Sequence, residues 1–227
     1  MTKAELNKIR IELSSLCVFR KILEDGVVRA FTDYLASVDA EDTALSVSEY
    51  SAFVSRLYEA NGGSLSKHIE DLCCESENVY VRLIGAGEKP KGCIASSVKS
   101  ELELLGRVAS LKKEDITEPL KWNGFLPGFL SEKTELLDMY THRIENIGRY
   151  GYGKYAANPM FYIDGGKKIV PVKNPDRISL DELVDYESQR KRIIDNTKAL
   201  LDGKPAANIL LTLSLIHISE PTRLGMI

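Results

Sequence analysis

Apolar residues recur at steps of three and four over most of the first 147 positions, and this spacing is typical of amphipathic helices. The first such stretch, residues 3–24, predicts one helix. We expect Asp25-Gly26 to end that helix, with Gly26 as a left-handed C-cap. A second helix is predicted over residues 27–37.

A polar loop then leads to a third predicted helix, whose apolar positions fall between residues 50 and 58. Ser46 or Ser48 can cap its N-terminus, because a serine hydroxyl accepts a hydrogen bond from a free backbone N–H group of the first turn. Residues 61–63 (Asn-Gly-Gly) break the pattern, and Ser64 is placed to start the next helix.

The next apolar run, residues 79–84, fits either a strand or a helical turn. A longer helical pattern covers residues 94–111, and Ser131 resembles an N-cap for a helix over residues 132–147. No internal repeat is visible. We therefore predict a helical domain over residues 1–147.

The pattern changes at residue 148. Residues 148–155 are rich in Gly and Tyr, and the two short strand candidates Met160–Ile163 and Ile169–Val172 flank an Asp-Gly-Gly turn. Asn174-Pro175-Asp176 is typical of a linker. Residues 148–177 are therefore predicted to form a connecting β-hairpin linker.

Residues 179–211 contain, in order, the signals of a helix cap, a helix, a helix stop and a strand. Ser179 and Glu182 fit a capping box, and residues 186–201 predict an amphipathic helix that Gly203 ends. Asn208–Leu211 then predicts the beginning of a buried strand. The expected fold class is mostly α, with a short hairpin and one further helix and strand.

Composition narrows the class of protein without identifying it. The chain has 227 residues, and its 30 Lys and Arg against 33 Asp and Glu give a net charge of −3. That balance does not favour a protein that binds nucleic acid through its phosphates. No run of apolar residues reaches the length of a membrane span, and no signal peptide is recognisable, so neither a membrane partner nor secretion is expected.

Four cysteines, at positions 17, 73, 74 and 93, lack the spacing of a zinc site. We expect buried, reduced thiols, which fit a cytoplasmic location.

Residues 213–223 read LSLIHISEPTR, which resembles the translation of a transposase-type sequencing adapter. The alternative is a natural apolar strand followed by a turn. We expect residues 213–227 to be derived from the adapter, and the natural sequence to end near Leu211 or Thr212. His217 then carries no functional role.

Few residues fit a known catalytic, phosphate-binding or metal-binding motif. Gly85-Ala86-Gly87 begins a glycine loop that has Pro90 where a third Gly belongs, and Gly203-Lys204 lacks both an upstream Gly and a following Ser or Thr. His68 and His142 are expected to be structural or surface residues, and the pair Glu101 and Glu103 a solvated face. No catalytic or metal-binding residue is predicted.

The segment Arg149–Tyr155 mixes basic and aromatic side chains. Such a mixture suits stacking on bases. It also suits a tyrosine-rich corner that packs against the helical domain, and the acidic composition favours this packing role.

Residues 176–211 resemble the beginning of the ATPase core of a bacterial AAA+ family, whose members are described as predicted ATPases or ATP-binding proteins. The family pattern is Leu-x-x-Leu-x-Gly-Tyr-Glu-x-Gln, a helix that ends in Asn-Thr, then Gly-x-Pro-Ala-Asn-Asn and a strand that runs into a Walker A loop. The chain matches it with Leu180, Leu183, Tyr186, Glu187, Gln189, Asn196, Thr197, Gly203, Pro205, Ala206, Asn208, Leu210 and Leu211. Asp185 and Ala207 depart from it, where the family has Gly and Asn.

The resemblance implies that residues 178–212 are the start of an α/β P-loop core, truncated before the phosphate-binding loop. It also implies adenine-side contacts from Ile178, Leu183, Val184 and Tyr186. These residues are equally expected to be apolar positions that dock the linker onto the core. The intact parent is then expected to bind ATP and Mg²⁺, and to form a homo-oligomer that acts on an unknown protein client.

The fragment itself lacks the Walker A lysine and the other groups that stabilise phosphoryl transfer, so neither hydrolysis nor a bound cofactor is expected of it. Two other classes of function stay open. One is a non-enzymatic helical protein-interaction module, and the other is a nucleic-acid adaptor that uses Arg149–Tyr155.

Overall fold

The computed structural model of the chain describes residues 1–40, 42–158, 160–172, 175 and 186–210, apart from the side chains of residues 154 and 157. The described residues are mostly helical and include one two-stranded antiparallel sheet. The chain divides into two compact units, Met1–Lys173 and Asn174–Ile227. The predicted fold class, mostly α with a short hairpin after the helices, is confirmed.

The first unit holds ten α-helices among its described residues: α1 (Lys3–Ser14), α2 (Gly26–Asp39), α3 (Thr43–Asn61), α4 (Leu65–Glu75), α5 (Val79–Gly85), α6 (Gly92–Ala109), α7 (Lys113–Thr117), α8 (Leu136–Glu145), α9 (Ile147–Tyr150) and α10 (Lys154–Ala157). Two 3₁₀ turns lie at Arg20–Glu24 and Glu118–Leu120. The second unit contributes α11 (Glu187–Leu201).

Helix α2 lies at the centre of the first unit, packed against α3 along its length and against α1. Its apolar side chains interlock with those of α3. The ring centroids of Phe31 and Phe53 are 5.1 Å apart, and those of Tyr34 and Tyr50 are 5.4 Å apart. All four rings are at most 2 % exposed. Aromatic pairs at this spacing add a specific geometry to the burial of apolar area, so they fix how the two helices face each other.

Asp25 and Gly26 begin a helix instead of ending one. Asp25 is the N-cap of α2, and its carboxylate accepts hydrogen bonds from the N–H groups of Val27 (2.9 Å) and Val28 (3.1 Å). Gly26 is the first residue of that helix, so its prediction as a left-handed C-cap was wrong. The single helix predicted over residues 3–24 is in fact α1 followed by a 3₁₀ turn.

The Asp25 carboxylate also joins α2 to α4, because its Oδ1 lies 2.9 Å from Nε2 of His68. Burial acts to raise the pKa of Asp25, but the hydrogen bonds from His68, Val28 and Val27 outweigh it and hold that pKa below its usual range. His68 is therefore a structural histidine, as expected.

Glu101 is buried, against the prediction that it shares a solvated face with Glu103. It projects from α6 and is 8 % exposed. Its two carboxylate oxygens accept the consecutive backbone N–H groups of Cys17, Val18 and Phe19 at 2.9–3.1 Å. A carboxylate can be buried here because these donors replace its water. Glu101 thereby holds the segment between α1 and the first 3₁₀ turn.

Other helix ends differ from their predicted caps. Asp42, not Ser46 or Ser48, caps α3 through the Leu45 N–H group. Ser131 caps no helix. Its hydroxyl donates to the carbonyl of Ala109, and α8 begins five residues later. The break at Asn61–Gly63 and the Ser64 cap of α4 are confirmed, with Gly62 in the left-handed region at φ 78°.

The predicted hairpin forms between β1 (Phe161–Ile163) and β2 (Ile169–Pro171). Tyr162 pairs with Val170 at its centre. The Asp164 carboxylate accepts the N–H groups of Gly166 (2.9 Å) and Lys168 (3.0 Å) and so closes the turn. The hairpin belongs to the same compact unit as the ten helices.

We expect Asp25→Asn to change the acid sensitivity of folding. Asparagine keeps the cap but cannot carry the charge that His68 and the two N–H groups stabilise. A carboxylate with a lowered folded pKa contributes stability above its unfolded pKa and loses it as the pH falls through the folded value. The stability advantage of the wild type, on the order of 1 kcal/mol, should therefore shrink between about pH 5 and pH 3. Urea unfolding at several pH values measures this stability difference.

Asp33→Asn, on the exposed face of α2, is the control for the loss of one charge. A constant gap across that range would contradict the assignment.

We expect Glu101→Gln to lower the free energy of unfolding by roughly 1.5–3 kcal/mol, because the amide offers one acceptor oxygen where the carboxylate offers two charged ones. Glu103→Gln, on the exposed face of the same helix, should change it by less than about 0.5 kcal/mol. Chemical unfolding of both variants makes the comparison. Equal stabilities would show that the three N–H groups do not need the Glu101 charge.

Candidate functional site

The structure describes only Tyr186 of the four residues predicted to face adenine. Ile178, Leu183 and Val184 lie outside the described residues. Tyr186 precedes α11 and is 64 % exposed, with its backbone in the left-handed region at φ 61°. Positive φ is uncommon for an aromatic residue. Tyr186 directly follows Asp185, the position at which the AAA+ resemblance has Gly.

The helix predicted over residues 186–201 is confirmed as α11, and so is its stop. Gly203 takes the left-handed conformation (φ 67°), and its N–H donates to the carbonyl of Leu200 at 3.1 Å. The N–H of Lys204 donates to the carbonyl of Ala199 at 2.8 Å. These two bonds form a Schellman motif, which only a residue tolerant of positive φ can complete without strain.

A second contact holds the chain after the stop. The Asn196 side-chain amide donates to the carbonyl of Ala207 at 2.8 Å, and the N–H of Ala207 donates back to Asn196 Oδ1 at 2.9 Å. The resemblance places these two positions in separate parts of the motif and gives neither a role. The contact joins them and ties the loop back onto α11.

The strand predicted to begin at Asn208 is not formed over residues 208–210. Leu211 lies outside the described residues. A strand needs a neighbour to receive its backbone hydrogen bonds, and β1 and β2 pair only with each other in the described part of the chain.

The same segment exposes apolar side chains within its unit. Leu200, Leu201 and Leu210 are 66 %, 79 % and 88 % exposed, and no residue of α11 is buried. An amphipathic helix gains most of its stability by covering its apolar face. Residues 187–210 therefore have the sequence of a packed element, and its apolar side chains stay exposed among the residues that the structure describes.

The Gly/Tyr segment packs within the helical unit, as favoured over base stacking. The guanidinium of Arg143 lies 5.0 Å from the centre of the Tyr150 ring. Tyr152 lies against the backbone of Gly85, where an added Cβ would sit 2.8 Å from its ring. Gly153 is buried at φ 56°, and a Cβ there would overlap the Glu77 side chain. The glycines thus allow close backbone approach at this corner.

One motif in this corner was missed. Gly148–Tyr155 has the spacing G-x-x-x-x-G-K of a phosphate-binding loop, with Tyr155 in place of Ser or Thr. In a P-loop that spacing follows a strand and opens a helix. Here it follows α8, crosses α9 and runs into the four-residue α10. The match is therefore one of spacing alone.

The cysteines form no recognisable reactive site. Cys73 is buried, but Cys17 and Cys93 are exposed, so the prediction of buried thiols was wrong for those two. Burial raises the pKa of the Cys73 and Cys74 thiols, which lowers their reactivity. Within the ranges described, no group of three or more His, Cys, Asp or Glu side chains could hold a metal ion. No described helix is both long and apolar enough to cross a bilayer.

Comparison with known proteins gives one finding. Residues 156–214 match the model of a family described as a protein of unknown function, DUF815. The match covers about a quarter of the chain and includes β1, β2 and α11. No curated protein and no solved structure matches the chain.

We expect Gly153→Ala to destabilise the first unit by roughly 1–3 kcal/mol, because alanine must adopt a positive φ and displace Glu77. Gly148→Ala is the matched control, since an added Cβ there meets nothing within 4 Å. It should be neutral or slightly stabilising, because it replaces a glycine within α9. Thermal unfolding of both variants tests the packing corner, and a neutral Gly153→Ala would contradict it.

Proposed function

We propose that the chain is the N-terminal part of an AAA+ ATPase. In this proposal the helical domain and the hairpin precede a nucleotide-binding core, of which residues 178–212 are the start. The intact parent binds and hydrolyses ATP with Mg²⁺, works as a homo-oligomer in the cytoplasm and acts on a protein client. Residues 213–227 are adapter-derived and take no part.

The family match supports this proposal because it covers the AAA+-like motif together with the hairpin that precedes it. DUF815 is associated with AAA-like ATPases. Its match begins at residue 156, just before the hairpin, and continues through α11 to residue 214. It therefore contains the whole segment that carries the AAA+ resemblance, residues 176–211.

The observation that carries the proposal is the pair of anchors at the end of α11. A Schellman stop at Gly203 and the reciprocal hydrogen bonds between Asn196 and Ala207 direct the chain away from the helix immediately before Asn208-Ile209-Leu210. In a P-loop protein, an apolar strand at this place leads into the loop whose N–H groups and lysine hold the phosphates. The exposed leucines of α11 supply the apolar face that such a core would cover.

The described residues do not themselves form a site for the phosphates or for Mg²⁺. Lys204, which follows Gly203, is paired with Asp202 at 2.9 Å, and Pro205 replaces the Ser or Thr that would bind the metal. Residues 148–155, which have the spacing of a phosphate-binding loop, form the packing corner described above. The proposal therefore assigns ATP and Mg²⁺ to parent sequence that follows Leu211, and no catalytic step to this chain.

One feature favours the alternative of a helical protein-interaction module. The loop after Lys121 presents Trp122 and Phe125 at 48 % and 87 % exposure. Its backbone is nevertheless held, because Tyr50 donates to the carbonyl of Pro127 at 2.7 Å and Lys113 donates to that of Leu126 at 2.8 Å. Rigid, exposed aromatic side chains are typical of protein-binding surfaces. The same loop suits client binding in the AAA+ parent.

We expect the uninterrupted gene product, translated past Leu211, to bind ATP in the presence of Mg²⁺. The 227-residue chain should bind it at least about a hundredfold more weakly, because backbone N–H groups and a lysine supply most of the phosphate affinity. Isothermal titration of both chains with ATP and Mg²⁺ measures the difference. Absence of binding by a folded, uninterrupted chain would reject the proposal and leave the interaction module.

A further inference from the structure

Asn196 lies in the interior of α11, where asparagine is a poor choice. It has lower helix propensity than alanine, because its amide competes for backbone hydrogen bonds. Here the amide makes its bonds away from its own helix, to both backbone groups of Ala207, eleven residues on. The unfavourable residue is thus matched by one specific contact.

We propose that Asn196 is a positioning residue that takes the place of a strand neighbour for Ala207 and fixes where the first core strand begins. The inference rests on the proposed function for the part that concerns the nucleotide. We call the two hydrogen bonds between Asn196 and Ala207 the clamp. The clamp concerns only residues 196–207, which the structure describes.

The amide offers the same groups as one residue of a neighbouring strand. Its Nδ2–H donor and its Oδ1 acceptor both face Ala207, as the N–H and C=O groups of one residue in an antiparallel strand face a single partner residue. Ala207 uses its N–H and its carbonyl on this one side chain, so both of its backbone groups are satisfied before any strand pairing occurs. The hydrogen-bonding pattern of a sheet edge therefore starts on the helix.

Two anchors then determine the path of the loop. The Schellman motif fixes the chain at Gly203 and Lys204, and the Asn196 amide fixes it again at Ala207. Pro205 restricts φ between them. The strand predicted from Asn208 starts one residue after the second anchor, so a shift at Ala207 would move the strand and the phosphate-binding loop that we propose to follow it.

Other side chains at position 196 cannot reproduce the contact. Alanine removes both hydrogen bonds. Aspartate keeps the acceptor for the Ala207 N–H but points a second oxygen at the Ala207 carbonyl. Glutamine carries the same amide one methylene further out. Asparagine alone combines donor, acceptor and reach at this distance.

The test uses Asn196→Ala in the 227-residue chain, followed by amide hydrogen exchange of Ala207. Protection of that amide should fall about fivefold to tenfold, the factor expected for the loss of a hydrogen bond of ordinary net strength. The amides within α11 should be protected as well as before or better, because alanine is the stronger helix former. A residue needed only for helix stability would lower both.

Thr197→Ala is the matched control. Thr197 is the exposed neighbour on the same helix, and its replacement gives a similar gain in helix propensity without touching Ala207. It should leave the exchange of Ala207 unchanged. Equal exchange of Ala207 in the two variants, or exchange at the unstructured rate in the wild type, would overturn the clamp.

A second arm places both substitutions in the uninterrupted gene product. Asn196→Ala should weaken ATP binding at least about tenfold, and Thr197→Ala should not change it. If that wild-type chain binds no ATP, the proposed function fails while the exchange result still decides the clamp. If it binds ATP and Asn196→Ala binds equally well, the positioning role is wrong.

Discussion

The helical unit depends on the burial of α2. Eight of its fourteen residues are buried, among them Phe31, Tyr34 and Leu35. A helix enclosed to this extent requires internal partners for its polar groups. Asp25 at its N-cap bonds to His68 of α4, and the Tyr34 hydroxyl donates to the carbonyl of Ile116 in α7. The polar groups of one helix thereby set the positions of two others.

The periodicity of apolar residues located most helices of this unit, because each helix buries one face and the spacing of that face is local. The sequence located some helix ends correctly, such as the break at Asn61–Gly63, but others wrongly. Asp25-Gly26 is compatible with either the end of one helix or the start of the next, and the choice depends on His68, which is 43 residues away. Glu101 is a similar case. Its partners lie 82–84 residues earlier in the chain, and no local pattern distinguishes it from the exposed Glu103.

The candidate site was predicted from a resemblance instead of from periodicity. The structure draws attention to Asn196 and not to the predicted adenine-side residues. Of the proposed adenine-side residues, Tyr186 is described and exposed, and the other three are outside the described residues. Asn196 carries the informative contact. The sequence contained a usable signal for it, a helix-disfavouring asparagine seven residues before the Gly203 stop. Its partner could not be identified, because the bonds go to the backbone of Ala207 and leave no mark on that residue's side chain.

The strand predicted from Asn208 is a case in which the sequence pattern is present but the structure is not formed over residues 208–210. Its apolar residues satisfy the local pattern, but a strand exists only with a neighbour, and the described residues offer none. The same reasoning accounts for the exposed leucines of α11. The core that we propose to follow this segment in the parent protein would account for both features.

The most direct measurement of this account is an independent long DNA read of the source gene from the codon for Pro205 onward. We predict an in-frame G-x-x-x-x-G-K-[ST] within about ten residues of Leu211, at the spacing that a strand, loop and helix require. A read that instead confirms LSLIHISEPTR followed by a stop codon would contradict the assignment to an AAA+ ATPase. The function would then lie in the helical unit alone.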